Sequence, residues 1–261
     1  MKSLQNPIHT TSLSRRHLLQ GAAATAAAVV APWSPARAAG QVAGGKTITL
    51  VVSYAAGGGA DLMARLIAPK LSEALGQTVV VDNKPGASGQ IAASQVARAT
   101  PDGSQLLVDA SSFAVNPALY PKLPYNSDTA FTPLAVLALF PNVLVCTPNF
   151  EAKNVKDLIR MAKAQPGHIS YASSGNGSAQ HLAGALFEDL AGVSLGHVPY
   201  RGGGPAMNDV MAGQLPLFFA NVASSLGQIQ SGRLRPLAVT SRLRARVLPD
   251  VPTMEEAGVP A

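Results

Sequence analysis

Between residues 47 and 109, stretches with the hydrophobic pattern of a strand alternate with stretches that have the pattern of a helix. Residues 47–54 form a run of apolar and β-branched side chains, which is typical of a buried strand. A small-residue loop follows at 55–59, and residues 62–75 then place their leucines on one helical face. The same order of elements repeats, with strands predicted at 78–81 and 105–109, a glycine loop at 84–89 and a helix at 90–99.

The second half of the chain has the same order of elements. Strands are predicted at 169–172, 197–200, 215–220 and 235–240, helices at 155–164, 179–190 and 205–212, and small-residue loops at 173–178 and 201–204. Between the halves, Pro133 and Pro141 interrupt the apolar stretch 131–147, so we expect two strands there, at a crossing between two lobes. Capping-box spacing at 253–256 predicts one short last helix.

The repeated order of strand, loop and helix determines the predicted fold class. It is the pattern of parallel sheets joined by right-handed crossover helices, so the class is α/β. Because the pattern occurs in both halves, we expect two similar Rossmann-like lobes. About 220 residues follow the N-terminal segment, which is enough for one large or two small α/β domains.

The first 38 residues have the three parts of a signal peptide. Arg15 and Arg16 precede a mild apolar run at 18–30, and residues 36–38 have the small-residue spacing of a cleavage site. Paired arginines ahead of an alanine-rich run favour the twin-arginine export pathway. The run has about 13 residues, whereas a membrane-spanning helix needs about 20. We therefore expect a periplasmic protein rather than a membrane-anchored one.

The formal net charge of +6 belongs mostly to this N-terminal segment. Four of the 20 basic residues and none of the 14 acidic residues lie in residues 1–38, which leaves a charge of +2 on the rest. Nucleic-acid binding calls for clustered Lys and Arg, so we expect no nucleic-acid partner. The single cysteine, Cys146, lies in an apolar run, and we expect it to be a buried small side chain.

Four Gly- and Ser-rich loops follow predicted strands and lead towards helices, at 56–60, 85–89, 173–178 and 201–204. Ligands of open α/β sheets bind at the carboxyl ends of the strands. Glycines let a ligand approach the backbone, and the N–H groups at helix starts favour an anion. Four such loops on two facing lobes therefore predict an anion-binding cleft, although each one alone also fits a tight turn.

Other polar motifs have simpler interpretations. Asp61 at a helix start is predicted to cap backbone N–H groups, with an ammonium-binding role as the alternative. Ser178 and His181 lie three residues apart, which allows a nucleophile and a base, but the strained Gly-x-Ser-x-Gly elbow is missing. We expect no metal site and no cofactor, because the histidines lack metal-ligand spacing and the glycines around Gly175 do not complete a dinucleotide fingerprint.

Six segments together resemble one family of proteins: 54–65, 83–89, 171–181, 198–205, 232–241 and 248–253. In this order they are similar to the extracytoplasmic solute receptors of tripartite tricarboxylate transporters, the TctC or Bug receptors. The resemblance implies a type II periplasmic-binding-protein fold with a central ligand cleft. It also implies a first lobe of residues 39–142 and 237–261, and a second lobe of residues 143–236.

The resemblance further implies ligand-binding residues, carried over loop by loop. In the first lobe they are Gly58, Gly59, Gly86, Ala87 and Ser111. In the second lobe they are Ser174, Gly177, Ser178, Tyr200 and, as a weaker addition, Asn221. Backbone N–H groups, hydroxyls and bound water can hold carboxylate oxygens without a dedicated arginine.

The chain departs from the family pattern at three places. Family members carry Asp before the strand that here begins at Pro216, and often at the position of Ala220. A proline commonly precedes the first loop, where Ser53 or Ala55 stands. Such receptors also continue with elements of the first lobe beyond the position of Ala261, so we expect this product to be truncated at its C-terminus.

These observations predict a receptor rather than an enzyme. We expect a monomer that captures a small carboxylate, such as a di- or tricarboxylate, an amino acid or an aromatic acid, and presents it to the membrane permease subunits of a transporter. An exported hydrolase using Ser178 and His181 is one alternative. A ligand sensor for a signalling partner is the other, with the same fold.

Overall fold

The computed structural model describes residues 45–260, so the predicted signal peptide lies outside the described residues. The strands are β1 (Ile48–Val52), β2 (Val79–Asn83), β3 (Gln105–Val108), β4 (Asn142–Cys146), β5 (Ser170–Ser173), β6 (Gly196–Pro199), β7 (Leu217–Asn221) and β8 (Arg235–Val239). The α-helices are α1 (Gly59–Leu75), α2 (Gln90–Ala97), α3 (Ser111–Leu119), α4 (Val155–Ala164), α5 (Ala179–Ala191), α6 (Gly203–Met211) and α7 (Val222–Gln230). Within this part of the chain, no helix is both long enough and apolar enough to cross a membrane.

The first sheet has three parallel strands in the order β2-β1-β3. Leu50 and Val52 of β1 point to the same face and pack against Ala64 and Ala68 of α1. Burial of these side chains holds the helix on the sheet, since each buried methylene contributes about 0.8 kcal/mol. The predicted alternation of parallel strands and helices is confirmed in this sheet.

The second sheet has five strands in the order β6-β5-β7-β4-β8. Strand β5 is parallel to β6 and β7, whereas β4 is antiparallel to β7 and β8. One face packs Leu144 and Phe219 against α4 and α5, and the other packs Val143 and Phe218 against α6 and α7. Burial on both faces explains why these strands have continuous apolar runs instead of alternating patterns.

Residues 131–141 form no strand, which differs from the prediction of two strands between 131 and 147. Only β4 forms in that stretch, and its five residues are all buried. The preceding side chains of Leu134, Val136 and Leu139 are 73%, 79% and 88% exposed. Pro133 and Pro141 lack the N–H groups that a strand ladder needs, which accounts for the irregular backbone.

The sequence pattern did not predict two of the helices, α3 and α7. Pro117 lies inside α3, and Gly227 lies inside α7, so both sequences have weak helix propensity. Helix α7 is stabilised at its start by Asn221, whose Oδ1 accepts a hydrogen bond from the backbone N–H of Ala223 at 3.0 Å. Local capping and tertiary packing therefore outweigh propensity here.

The last residues pack on the second sheet, although the predicted boundary assigned 237–261 to the first lobe. Strand β8 pairs with β4 at both of its ends, with a register shift between Leu144 and Val145, and Val239 bridges Thr253 in parallel. Val251 and Val259 are buried on opposite faces of the second sheet. Backbone pairing and apolar burial thus place residues 237–260 with β4 and β7.

A capping box forms at the predicted place near the C-terminal end. The N–H of Thr253 donates to Glu256 Oε2 at 2.8 Å, and the N–H of Glu256 donates to Thr253 Oγ1 at 3.1 Å. The two residues enclose a turn and not the short helix that the spacing predicted. A capping box satisfies two N–H groups without requiring that a helix follows.

Two helical glycines differ in the space around them, and we expect opposite effects from the same substitution. Gly184→Ala in α5 would place a Cβ atom against the ring of Tyr171 and should lower the free energy of unfolding by about 1–3 kcal/mol. Gly227→Ala in α7 has nothing within 4 Å and should raise it by about 0.5–1 kcal/mol. Urea unfolding followed by circular dichroism measures both, and effects of the same sign would contradict the described packing of α5 on β5.

Candidate functional site

A cavity of about 520 Å³ lies between the two sheets, at the carboxyl ends of their parallel strands. From the first sheet and its loops it is lined by Tyr54, Gly58, Gly59, Ala60, Met63 and residues 107–111. From the second sheet and its loops it is lined by Asn142, Ser174, Ala179, Gln180, Gly203 and Asn221. Residues 135–140 complete the lining, and we call this segment the apolar wall.

Five helices begin at this cavity. The lining includes the first residue of α1, α3, α5 and α6, and the N-cap residue of α7, which are Gly59, Ser111, Ala179, Gly203 and Asn221. The N-terminus of a helix carries unpaired N–H groups and about half a positive charge. Five of them around one cavity favour an anion without any basic side chain. The first N–H groups of α7 already bond to the carbonyl oxygen of Pro141 and to Asn221 Oδ1, so this helix contributes its dipole and not free donors.

Two glycine loops pack backbone against backbone beside the cavity. The N–H of Ala55 donates to the carbonyl oxygen of Arg201 at 2.9 Å. A Cβ atom added to Gly58 would lie 3.3 Å from the nitrogen of Gly203, and one added to Gly204 would overlap the carbonyl oxygen of Ala56. We call residues 55–59 and 201–204 the glycine contact. Its glycines allow the two sheets to approach closely enough to enclose the cavity.

Five of the ten predicted ligand-binding residues line the cavity together: Gly58, Gly59, Ser111, Ser174 and Asn221. The other five do not line it: Gly86, Ala87, Gly177, Ser178 and Tyr200. Four residues of the first group lie at helix starts that meet across the gap between the sheets, and Ser174 lies in the loop directly after β5. The residues of the second group contact other parts of the protein instead of the cavity.

The loop that contains Gly86 and Ala87 is a strained turn held against α3. Ala87 and Ser88 have φ angles of 46° and 53°, in the left-handed region that non-glycine residues seldom adopt. Asn116 Nδ2 donates to the carbonyl oxygen of Ser88 at 2.9 Å, and Ser88 Oγ shares a hydrogen bond with Tyr120 Oη at 2.9 Å. This turn therefore fixes the position of α3, whose first residue lines the cavity.

The loop at 173–178 places Ser178 and His181 in structural roles. Ser178 is 1% exposed, and its Oγ accepts the backbone N–H of His181 at 3.2 Å as the N-cap of α5. The ring of His181 uses Nδ1 to accept the N–H of Gly177 at 3.1 Å. The two side chains are therefore not arranged as a nucleophile and a base.

Tyr200 also has a partner away from the cavity lining. Its hydroxyl donates to Asp209 Oδ2 in α6 at 2.6 Å. Burial, together with this carboxylate, raises the pKa of Tyr200 to about 12, so the hydroxyl keeps its proton at neutral pH. The tyrosine links the end of β6 to α6 and thereby orients the loop between them.

Asp61 lies in the first turn of α1, as predicted, but it bonds to the preceding loop and not to an N–H group of the helix. The buried carboxylate accepts the N–H of Gly57 at 3.0 Å and the Nε of Arg65 at 3.0 Å. Burial opposes ionisation of this group, but the hydrogen bonds from Arg65 and Gly57 outweigh it, and the pKa of Asp61 is lowered. An ionised Asp61 stabilises the turn of the first glycine loop and the start of α1.

Asp109 is an acidic residue in the cavity lining, at the start of α3. Its Oδ1 accepts the N–H of Ala110 at 2.7 Å and the hydroxyl of Ser112 at 3.1 Å. Ser112 in turn accepts the hydroxyl of Tyr54 at 2.6 Å. Burial raises the pKa of Asp109, so ionisation of this carboxyl group is disfavoured in the folded protein.

The sequence pattern missed some of the lining residues. Asn142 and Gln180 contribute polar groups, and Met63 and the apolar wall contribute apolar surface. The only available signal was the apolar stretch from 131 to 147, which was interpreted as strands. Across residues 45–260, no three His, Cys, Asp or Glu side chains come close enough to hold a metal ion.

Two family models match the chain. A model described as "tripartite tricarboxylate transporter family receptor" matches residues 63–261. A model of the signal sequence of the twin-arginine translocation pathway matches residues 12–32. The second match confirms the predicted twin-arginine export of the chain to the periplasm.

The chain is similar to a protein of Pseudomonas sp. (strain P51) described as "UPF0065 protein in tcbD-tcbE intergenic region". The two are 42% identical over 216 residues, which is 82% of this chain and 64% of the relative. The chain therefore spans less than two thirds of the length of that relative.

Two solved structures are also similar to the chain. One is Rpa4515 of R. palustris with adipate, at 40% identity and a TM-score of 0.80, covering 83% of this chain and 73% of that one. The other is MatC of Rhodopseudomonas palustris with bound malate, at 33% identity and a TM-score of 0.77, covering 82% and 74%. These structures confirm the predicted fold class.

The glycine contact predicts different outcomes for two neighbouring substitutions. Gly204→Ala should separate the loops, because its Cβ would overlap the carbonyl oxygen of Ala56, at a cost of about 1–3 kcal/mol. Gly203→Ala should be tolerated, because its Cβ would lie 3.4 Å from Ser174 Oγ and 3.6 Å from the Cα of Gly58. Urea unfolding and small-angle X-ray scattering measure stability and compactness. Equal values for the two variants would contradict the close packing of the loops.

Asp109→Asn should stabilise the protein at neutral pH. Burial raises the pKa of Asp109 above that of the unfolded chain. Its contribution is therefore most favourable below the unfolded pKa of about 3.9 and is lost as the pH rises through the folded pKa. Asparagine keeps the acceptor for Ala110 and Ser112 without the charge, so its advantage should shrink as the pH falls towards about 4. Urea unfolding at both pH values tests this, with the exposed Asp250→Asn as control.

Proposed function

The chain belongs to the tripartite tricarboxylate transporter receptor family, and on this basis we propose that it is a periplasmic receptor for a small carboxylate. The family and the structural neighbours are solute-binding receptors and not enzymes. The single observation that carries the proposal is the meeting of five helix N-termini at one cavity. Carboxylate oxygens accept hydrogen bonds from such N–H groups, and each charge-assisted bond contributes about 1.5–3 kcal/mol.

The cavity lining combines polar and apolar groups, which suits a carboxylate with a short carbon skeleton. The helix starts and the side chains of Ser111, Ser174 and Asn221 supply hydrogen-bonding groups. The apolar wall and Met63 supply surface for methylene groups. Two similar structures hold adipate and malate, which are dicarboxylates of different length. A cavity of about 520 Å³ has room for acids of this size.

We propose that the ligand couples the two sheets. A carboxylate held by α1 and α3 on one side, and by α5, α6 and α7 on the other, stabilises the arrangement in which the sheets face each other. The receptor then presents its ligand, as a monomer, to the membrane permease subunits of a tripartite tricarboxylate transporter. Light scattering of the purified protein with and without ligand tests whether the receptor is monomeric.

A thermal-shift screen tests ligand capture. Mature protein is mixed with monocarboxylates, dicarboxylates, tricarboxylates, amino acids and aromatic acids. A ligand at 100 times its dissociation constant adds about 2.7 kcal/mol of stability, which gives a clear rise in melting temperature. A protein that unfolds cooperatively and is stabilised by none of these acids would contradict the proposal.

Ser174→Ala should weaken binding of the acid found in that screen by about tenfold or more, since a hydrogen bond to a charged group is lost. Ser174 is 7% exposed and lines the cavity from the second sheet. Ser231→Ala is the matched control, because its hydroxyl donates to the carbonyl oxygen of Gln228 on the exposed end of α7. Isothermal titration calorimetry gives both affinities, and an unchanged value for Ser174→Ala would remove this hydroxyl from the site.

A further inference from the structure

Two histidine rings stack behind the loop at 173–178. The ring centroids of His181 in α5 and His197 in β6 are 4.0 Å apart, and their planes differ by 16°. Both side chains are partly buried, and Tyr171 of β5 packs beside His197 at a centroid distance of 5.1 Å. We call His181 and His197 the histidine pair.

The histidine pair is hydrogen-bonded to the loop at two points. His181 Nδ1 accepts the N–H of Gly177 at 3.1 Å. His197 Nε2 shares a hydrogen bond of 2.6 Å with Ser173 Oγ, which also accepts the N–H of Gly175 at 3.1 Å. One ring thus holds the far end of the loop directly, and the other holds its near end through a serine.

This loop touches both the cavity and the helix α3, which follows the first sheet. Ser174 lines the cavity. Gly177 lies against α3, because a Cβ atom added to it would approach Leu119 and Val115. The shape of the loop therefore affects both a predicted ligand contact and the packing of the two sheets.

We propose that the histidine pair is a positioning element that holds the loop in its ligand-receiving shape while both rings are neutral, and releases it on acidification. The effect on ligand capture rests on the function proposed above. The hydrogen bonds to Gly175 and Gly177, and their loss on acidification, do not depend on that function. A protonated imidazole has no lone pair on Nδ1, so the N–H of Gly177 would lose its acceptor.

The surroundings of the rings favour the neutral form. Burial and, as the smaller cause, the neighbouring His181 together lower the pKa of His197 to about 4. Burial also lowers the pKa of His181, against the opposing effect of the Glu188 carboxylate on the same helix. Burial raises the pKa of Tyr171 to about 12, so this neighbour stays uncharged. Protons therefore bind to the pair only in acid.

The direction of the pH effect follows from these shifts. The unfolded chain binds protons on histidine at about pH 6.5, before the folded protein does. The stability that the neutral pair contributes is fully present above that pH and is lost as the pH falls towards about 4, the folded value of His197. Two stacked rings also repel each other once both are charged, which adds to the release of the loop.

The test without ligand follows the backbone amides of Gly175 and Gly177 by NMR in ¹⁵N-labelled mature protein, from about pH 7.5 to about pH 4.5. We expect the Gly177 signal to shift or broaden with a midpoint below about 6.5. In His181→Asn the signal should stay constant, because the Oδ1 atom of asparagine replaces Nδ1 as acceptor and does not titrate. An amide of Gly177 that does not respond in the wild type, or responds equally in His181→Asn, overturns the proposal.

Two further variants control this experiment. His168→Asn replaces an exposed histidine outside the pair and should leave the Gly177 titration as in the wild type. His197→Gln removes the stacked neighbour and should move the midpoint of the Gly177 titration to higher pH, because loss of the stacked ring leaves His181 less buried, and burial is what lowers its pKa. The His197→Gln variant also tests the proposal if His181→Asn fails to fold. A midpoint of the Gly177 titration equal to that of the wild type would count against coupling of the two rings.

Calorimetry with malate tests the consequence for binding. Between about pH 7.5 and about pH 5, the affinity of the wild type should fall about tenfold more than that of His181→Asn, which corresponds to one lost hydrogen bond. Titration of malate itself affects both proteins equally and cancels in this ratio. Equal falls would overturn the link between the loop and the ligand. Absence of malate binding at neutral pH would count against malate as the ligand, while the amide titration would still decide the role of the histidine pair.

Discussion

The glycine contact is the constraint on which the rest of the site depends. Residues 55–59 and 201–204 approach each other backbone to backbone, with the N–H of Ala55 bonded to the carbonyl oxygen of Arg201. A side chain at Gly204 would separate the two loops. Because each loop leads into a helix, this single contact brings the starts of α1 and α6 to the same cavity. The spacing of the two sheets therefore follows from the absence of Cβ atoms.

The electrostatics of the cavity come mainly from the backbone. Five helix starts supply partial positive charge, while Asp61 is ionised to stabilise a turn and Asp109 is disfavoured as an anion by burial. This arrangement agrees with the small net charge of the chain beyond residue 38. Fixed dipoles of this kind need little reorganisation when a ligand enters, unlike flexible lysine or arginine side chains.

The sequence predicted the order of strands and helices better than it predicted which residues line the cavity. Buried runs such as Ile48–Val52 and the helix at Val155–Ala164 follow from local patterning. Helices α3 and α7 were missed because Pro117 and Gly227 weaken the local signal, and packing stabilises them together with the Asn221 cap of α7. Of the five helix-start residues in the cavity lining, Gly59, Ser111 and Asn221 were predicted, whereas Ala179 and Gly203 were not. Gly177 and Tyr200 were predicted to contact the ligand, but in the structure Gly177 lies against α3 and Tyr200 bonds to Asp209. Sequence spacing does not show which side of a loop faces a cavity.

The apolar wall differs from the rest of the cavity in how freely it can vary. Residues 135–140 belong to no strand ladder, and several of their side chains are exposed, so a change of size there disturbs no backbone pairing. The glycine contact, in contrast, tolerates no added methyl group at Gly204. Under the proposed function, mutation of the apolar wall would change the length and bulk of the accepted carbon skeleton and leave the helix starts that receive the acid group unchanged.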